Sequence, residues 1–198
     1  MPTLDELVSL ADAEQPGHPE PPPANGKAPS AVLVPIYDTP EGPEVVFTRR
    51  AWHLRSHAGQ VSFPGGRKDP EDRDLVDTAL RESEEEIGLR PYTVEIVGEL
   101  ERLTTVTSPA NIVPILGVLP ERPHDLRLSP EEVDDVVIVS IAELLRPDIY
   151  REEIWFRQMT PNGSFEGFPI TFFELEGDTL WGATARIVRS MFERLTLI

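Results

Sequence analysis

Hydrophobic and polar positions along the 198-residue chain follow two different periods. Ala31 to Tyr37 (AVLVPIY) and Glu44 to Arg50 (EVVFTRR) are short runs rich in β-branched and aromatic residues, separated by the turn-forming DTPEGP. They predict two strands in a hairpin or close pairing. TVEIVGEL, NIVPILGVL, VVIVS and FPITFFEL predict further strands. From about Arg73 to Ile87 the period changes: at about 100° per residue, Val76, Ala79, Leu80, Ser83 and Ile87 fall in one arc, the pattern of an amphipathic helix. A closing helix is predicted from Trp181 to about Leu195. Strands interspersed with helices in this order predict an α/β fold, a mixed sheet covered by helices on both faces.

The amino-terminal part reads differently. Thr3 is placed to cap a short amphipathic helix carrying Leu4, Leu7 and Val8, but Glu14 to Pro29 (EQPGHPEPPPANGKAP) is rich in Pro, Gly and Ala. That composition predicts a flexible arm over residues 1–29, with the folded domain over residues 30–198.

Charge narrows the range of partners. Eighteen Lys and Arg against thirty-five Asp and Glu give a net charge of −17, which repels nucleic-acid phosphates and anionic membranes. No apolar run approaches the roughly 20 residues of a membrane span, and MPTLDELVSL lacks the features of a signal peptide, so a cytoplasmic protein is expected. With no cysteine, disulfides, thiolate metal sites and thiol nucleophiles are excluded.

The candidate chemistry concentrates in Phe63 to Leu89, FPGGRKDPEDRDLVDTALRESEEEIGL. Asp69 through Glu86 holds nine acidic residues against Arg73 and Arg81, a local balance of −7. Glu82, Glu85 and Glu86 stand at i, i+3 and i+4, so their carboxylates are expected on one arc turned away from the apolar stripe. Like charges so spaced oppose each other, and a hard divalent cation such as Mg²⁺ or Mn²⁺ would relieve them. A glycine-permitted turn at FPGG precedes the helix and Gly88 is placed to cap its end. A calcium loop starting at Asp69 is excluded, because the required glycine is missing and Arg73 stands at its fifth position. Upstream, Val45 to Lys68 contains Arg49, Arg50, Arg55, Arg67 and Lys68 and no acidic residue, a basic island suited to phosphate.

Arg81-Glu82-Ser83-Glu84-Glu85-Glu86-Ile87-Gly88-Leu89 resembles the second half of the Nudix box, with Ser83 where an aliphatic or small residue is usual. The first half departs further: after Gly66 and five intervening residues stands Asp72 instead of Glu, and eight residues rather than seven separate it from Arg81. The loop Gly65-Gly66-x-x-Asp69-x-x-Asp72 is similar to that of the coenzyme A diphosphatase branch. So is an upstream signature carried here by Thr48, Arg50, Ala51, Arg55, Gly59, Phe63, Pro64, Gly65 and Gly66. TVTSPANIVPILG and LWGATARIV, with Trp181 and Thr184, extend the similarity more weakly.

The resemblance implies a Nudix fold, an α/β/α sandwich with a mixed β-sheet, and cleavage of the diphosphate of coenzyme A or a related nucleoside diphosphate derivative such as ADP-ribose. It implies Glu82 and Glu86 as principal ligands of Mg²⁺ or Mn²⁺, and Glu85 as a further ligand or the base. Arg81 would orient a glutamate, while Arg50, Arg55, Gly65 and Gly66 would meet substrate. A later acidic residue is expected from SPEEVDD, Glu132 ahead of Glu131, whereas His53 and His57 are expected not to be ligands. A small-molecule substrate is the implied partner, and a homodimer stays open. A catalytically silent binding module is the alternative, and the intact Glu82, Glu85 and Glu86 set argues against it.

Overall fold

The computed structural model describes residues 1–12, 16–23, 28–104, 110–158, 163 and 165–195. Helix α1 (Leu4–Val8) is followed by β1 (Ser30–Tyr37), β2 (Glu44–Arg50), β3 (Val61–Ser62), β4 (Gly65–Arg67) and α2 (Leu75–Ile87). A 3₁₀ turn (Pro91–Thr93) leads to β5 (Glu95–Glu99), β6 (Leu103–Thr104), β7 (Asn111–Val118), β8 (Val133–Ser140) and α3 (Ile141–Leu144). The chain continues as β9 (Tyr150–Gln158), β10 (Phe165–Glu174), β11 (Thr179–Trp181) and α4 (Gly182–Arg194).

Among the described residues, β1 to β8 form one sheet and β9 to β11 a second, antiparallel one. Only β1 and β7 run parallel, so the larger sheet is mixed, as its sequence predicts. The pairing of β1 with β2 creates the opening that matters. The strands meet at Ile36↔Val45 and Tyr37↔Glu44 and then part; β4 takes over the free end of β1 (Val32↔Gly65, Ala31↔Gly66) and β3 that of β2 (Thr48↔Ser62). The connection Phe63-Pro64 therefore lies in the gap. Phe63 is buried against Phe47, ring centroids 4.7 Å apart, and Leu33 N–H donates to the Pro64 carbonyl at 2.9 Å.

Each face of the large sheet buries its own apolar layer. Leu33, Val46, Val113 and Ile115 pack under Leu75, Ala79 and Ile87 of α2. On the opposite face Val34, Ile36, Phe47 and Phe63 pack with Ile187, Val188, Met191 and Phe192 of α4, and with Phe173 and Leu180 of the second sheet. No helix among the described residues is long and apolar enough to cross a membrane.

Residues 1–12 and 16–23 differ from the expectation of an undocked arm. The capping box on Thr3 forms, but Leu7 and Leu10 are buried in the second of these cores. Asp12 bridges Glu99 at the sheet edge through two backbone hydrogen bonds (2.8 and 2.9 Å). Proline lacks an N–H but keeps its carbonyl; Pro19 and Pro22 accept from Arg102 and Asn111, and Glu20 pairs with Lys68 at 3.3 Å. Strand β9 is a second difference, formed where no strand is expected from sequence.

Candidate metal and phosphate site

Helix α2 begins with Asp74 accepting from Asp77 N–H and ends at Gly88, whose φ of 71° is the left-handed conformation glycine tolerates. Its last carbonyls, which a helix leaves without internal partners, accept from the segment before β8. Arg127 N–H donates to Ile87 O at 2.9 Å and Ser129 N–H to Glu86 O at 2.8 Å. Ala51 N–H, just beyond β2, donates to Glu132 O at 2.9 Å. These bonds bring Glu132 over the helix.

The result is a carboxylate cluster. One oxygen each from Glu82, Glu86 and Glu132 lies within 4.8 Å of the others. Glu86 is buried and accepts one backbone N–H, from Gly65 at 3.2 Å. Burial first, then the Glu82 and Glu132 charges, push its carboxyl up to about 8, against opposition from Gly65 N–H and Arg50. Glu82 is raised in the same direction, again chiefly by burial. Gly66 passes so close that a Cβ there would stand 2.5 Å from the Glu82 carboxylate. A side chain at this position would displace the Glu82 carboxylate.

Glu85 does not join the cluster. At about 100° per residue it stands some 100° from Glu86; it is exposed and bonded to Arg81 at 2.9 Å. The expected common arc is thus divided: Glu82 and Glu86 converge and Glu85 turns outward. Arg81 is held on several sides. Its Nε and Nη2 donate to buried Asp72 at 2.8 and 3.0 Å, and Nη2 also to Glu82 at 3.0 Å. Asp72 further accepts from Asp69 N–H and Thr78 Oγ1, both at 2.9 Å, and Arg81 above all holds its carboxyl down at about 2. The departure at Asp72 is therefore an anchor for Arg81. Ser83, the other departure, is buried and donates to Ala79 O at 2.6 Å, so its hydroxyl is satisfied inside the helix.

The basic island divides along β2, where alternate residues face opposite sides. Arg49 is taken by Asp178 (2.9 and 2.8 Å) and Asp135 (3.2 Å), and Lys68 by Glu20 and Asp72 O. Arg50 stands where its charge opposes that of Glu86, and its Nε is buried without a hydrogen-bond partner among the described residues. Arg55 is exposed on the loop after β2. His53 and His57 are exposed, with His57 Nδ1 2.7 Å from Gln60 Oε1, and neither belongs to the cluster. Trp181 stacks on Phe172 and Thr184 is buried; both pack the start of α4. Sequence reasoning missed the tie between Ala51 and Glu132 and the placement of Arg50 where its charge acts on Glu86, which relate residues some eighty and thirty-six positions apart.

A family profile described as NUDIX domain matches residues 27–162. Two proteins named uncharacterized Nudix hydrolase NudL are similar over most of their length. That of Yersinia enterocolitica is 35% identical over 98% of this chain and 94% of its own; that of Yersinia pestis is 36% identical over 85% and 80%. A crystal structure of a MutT/nudix family protein from Enterococcus faecalis is similar in fold, with a TM-score of 0.56 at 19% identity, covering 89% of this chain and 65% of that one. Sequence, fold and the glutamate-bearing helix agree: the chain belongs to the Nudix hydrolase family.

Proposed function

We propose that this Nudix hydrolase splits the diphosphate linkage of coenzyme A into 4′-phosphopantetheine and adenosine 3′,5′-bisphosphate, using Mg²⁺ or Mn²⁺. The observation that carries the reading is the carboxylate cluster beside Arg50, three acidic groups within 4.8 Å and a guanidinium with an unused donor. The donor set fits a hard divalent ion, because all its ligand atoms are carboxylate oxygens, and burial raises the proton affinity of Glu86 and Glu82 where such an ion would sit. Glu82 and Glu86 would hold the ion and Glu132 would close the site. When bound, such an ion supplies charge to the phosphate oxygens and acidifies a water.

The chain's own groups supply the rest. Glu132, exposed and within the cluster, would be the acceptor for the proton of an attacking water, whereas the resemblance offers Glu85 as a further ligand or the base. Gly65 lies too close to β1, and Gly66 too close to the Glu82 carboxylate, for an undisturbed Cβ, so the loop lies flat against strand and helix and its backbone would face the diphosphate. Arg81 is a positioning residue that fixes Glu82 from its anchor on Asp72. Arg50 and Arg55 would meet the substrate phosphates, including the 3′-phosphate that separates coenzyme A from dephospho-coenzyme A and ADP-ribose. A cysteine-free, strongly acidic chain suits a cytoplasmic enzyme.

Product analysis on a panel of coenzyme A, dephospho-coenzyme A and ADP-ribose tests the substrate. Coenzyme A should be preferred, and Arg50→Ala or Arg55→Ala should raise its KM by about one to two powers of ten, more than for dephospho-coenzyme A. Preference for ADP-ribose would overturn the substrate while leaving the diphosphatase chemistry. Equal losses on both coenzymes would assign the arginine to the diphosphate or the loop.

A further inference from the structure

Strand β9 lies at the edge of the second sheet, pairing with β10 on one side and with no strand on the other among the described residues. Its register sorts the side chains. Ile154 and Phe156 share the face that, nearer the core, carries Tyr150 and Phe173; Trp155 is on the opposite face with Phe172 and Trp181. Where the hairpin runs on past its packing against α4, Ile154, Trp155, Phe156 and Phe165 remain 57, 44, 69 and 65% exposed. With about 200 Å² for a large side chain, that is roughly 450 Å² per copy over the two faces, the size of surface apolar patch that is often functional. A two-stranded ribbon with both faces apolar is also marginal in water by itself.

We propose that β9 is the self-pairing edge of a two-fold symmetric dimer, antiparallel and centred on Trp155. A two-fold axis perpendicular to the sheet keeps each face on its own side, so only residues of like parity come opposite each other. Centred on Trp155, that register sets Ile154 opposite Phe156 of the second copy and Glu153 opposite its Arg157, a self-complementary Glu-Ile-Trp-Phe-Arg run. Centred one residue earlier, on Ile154, it would set Arg151 against Arg157. Trp155 meets its own copy beside the Phe172 and Trp181 rings and extends that aromatic cluster across the axis. Glu153 already accepts from Trp155 Nε1 at 2.6 Å and from Arg151, so its carboxylate is oriented before pairing. Pairing at the edge covers the β9 backbone and the flanks of these side chains rather than whole faces, an interface below the standard size, so the dimer is expected to be weak and reversible. Each copy carries −17, so the pairing works against net repulsion, which screening limits to about 8 Å at physiological salt while the local Glu153–Arg157 pairs stay in contact.

Sedimentation of the full chain from about 1 to about 100 µM should show a reversible monomer–dimer equilibrium. Glu153→Arg and Arg157→Glu should each raise the dimer Kd by about tenfold or more, and the two together should restore it. Because the chain has no cysteine, Trp155→Cys introduces a single thiol at the axis, with opposed Cβ atoms about 5 Å apart. It should cross-link under mild oxidation, whereas Tyr92→Cys, exposed on the 3₁₀ turn, should not. Far-UV circular dichroism confirms that each variant folds. A monomer at every concentration, or a double exchange no better than either single one, would overturn the proposal. So would equal cross-linking at positions 155 and 92.

Discussion

Two groups of charges lie side by side on α2 and are treated in opposite ways. Around Arg81 every charge is met: Asp72 takes two of its N–H groups, Glu82 and Glu85 one each, and Asp72 accepts two further hydrogen bonds. One turn further on, Glu82, Glu86 and Glu132 are gathered within 4.8 Å, and buried Glu86 has one backbone N–H and the opposing field of Arg50. Selection for stability alone favours the first arrangement, because an unpaired buried charge is costly. The second is the one with capacity left for a cation and a phosphate. Glu82 belongs to both groups, so the saturated one aims the unsaturated one.

The contrast is broken most strongly at Glu86. At pH 8 and above, where the carboxylate is populated, Glu86→Gln removes a charge at nearly constant shape; turnover should fall by at least about three powers of ten while the metal-free protein melts no lower than the parent, since repulsion is relieved. Steady-state kinetics and a thermal scan check both halves. Asp72→Asn should do the reverse in stability, costing about 3–5 kcal/mol in a denaturant titration because Arg81 loses its buried partner. Its pH dependence follows from a carboxyl depressed to about 2: the stabilisation is present above the ordinary value of 3.8 and is lost as pH falls toward 2.

A residue remote from both groups sharpens the comparison. Leu7→Ala, at the fully buried position of α1, should cost about 2–4 kcal/mol by calorimetry and leave kcat and the metal response unchanged. If deletion of residues 1–23 left the melting temperature unaltered, the docking of this segment would carry no energy. A smaller effect is expected from pH on the cluster itself. The Glu86 carboxyl keeps its proton in the folded chain up to about 8, against 4.5 ordinarily, so its contribution favours folding at low pH and is lost as pH rises from 4.5 through 8. Binding of Mn²⁺ requires the carboxylate, and its affinity should fall by up to about tenfold per unit below pH 8, measured by calorimetric titration.

Much of this was legible in the sequence, and the gaps have physical causes. β1, β2, β7 and both long helices announce themselves by period, and the Gly88 cap by residue type. β9 does not: YREEIWFRQ has acidic and basic residues in the alternation because neither of its faces is covered along most of its length. The docking of residues 1–12 and 16–23 rests on two leucines and on backbone and carbonyl bonds to Glu99, Arg102 and Asn111, partners that no local pattern reveals. At the site, helical spacing brought Glu82 and Glu86 together but could not tell that β4 would cover them and leave Glu85 outside. The arrival of Glu132 over α2 follows from residue types in SPEEVDD only with the bonds from Ser129 and Ala51 in hand.

The central claim is that the Glu82, Glu86 and Glu132 cluster is a cation site whose charge is left unsatisfied by the fold. It is tested most directly by thermal unfolding at pH 8 with and without saturating Mg²⁺ or Mn²⁺, on the parent chain and on Glu86→Gln. The parent should gain several degrees on adding metal, and Glu86→Gln should gain almost nothing from a starting point at or above that of the metal-free parent. An equal metal-induced rise in both proteins, or none in the parent, would contradict the account.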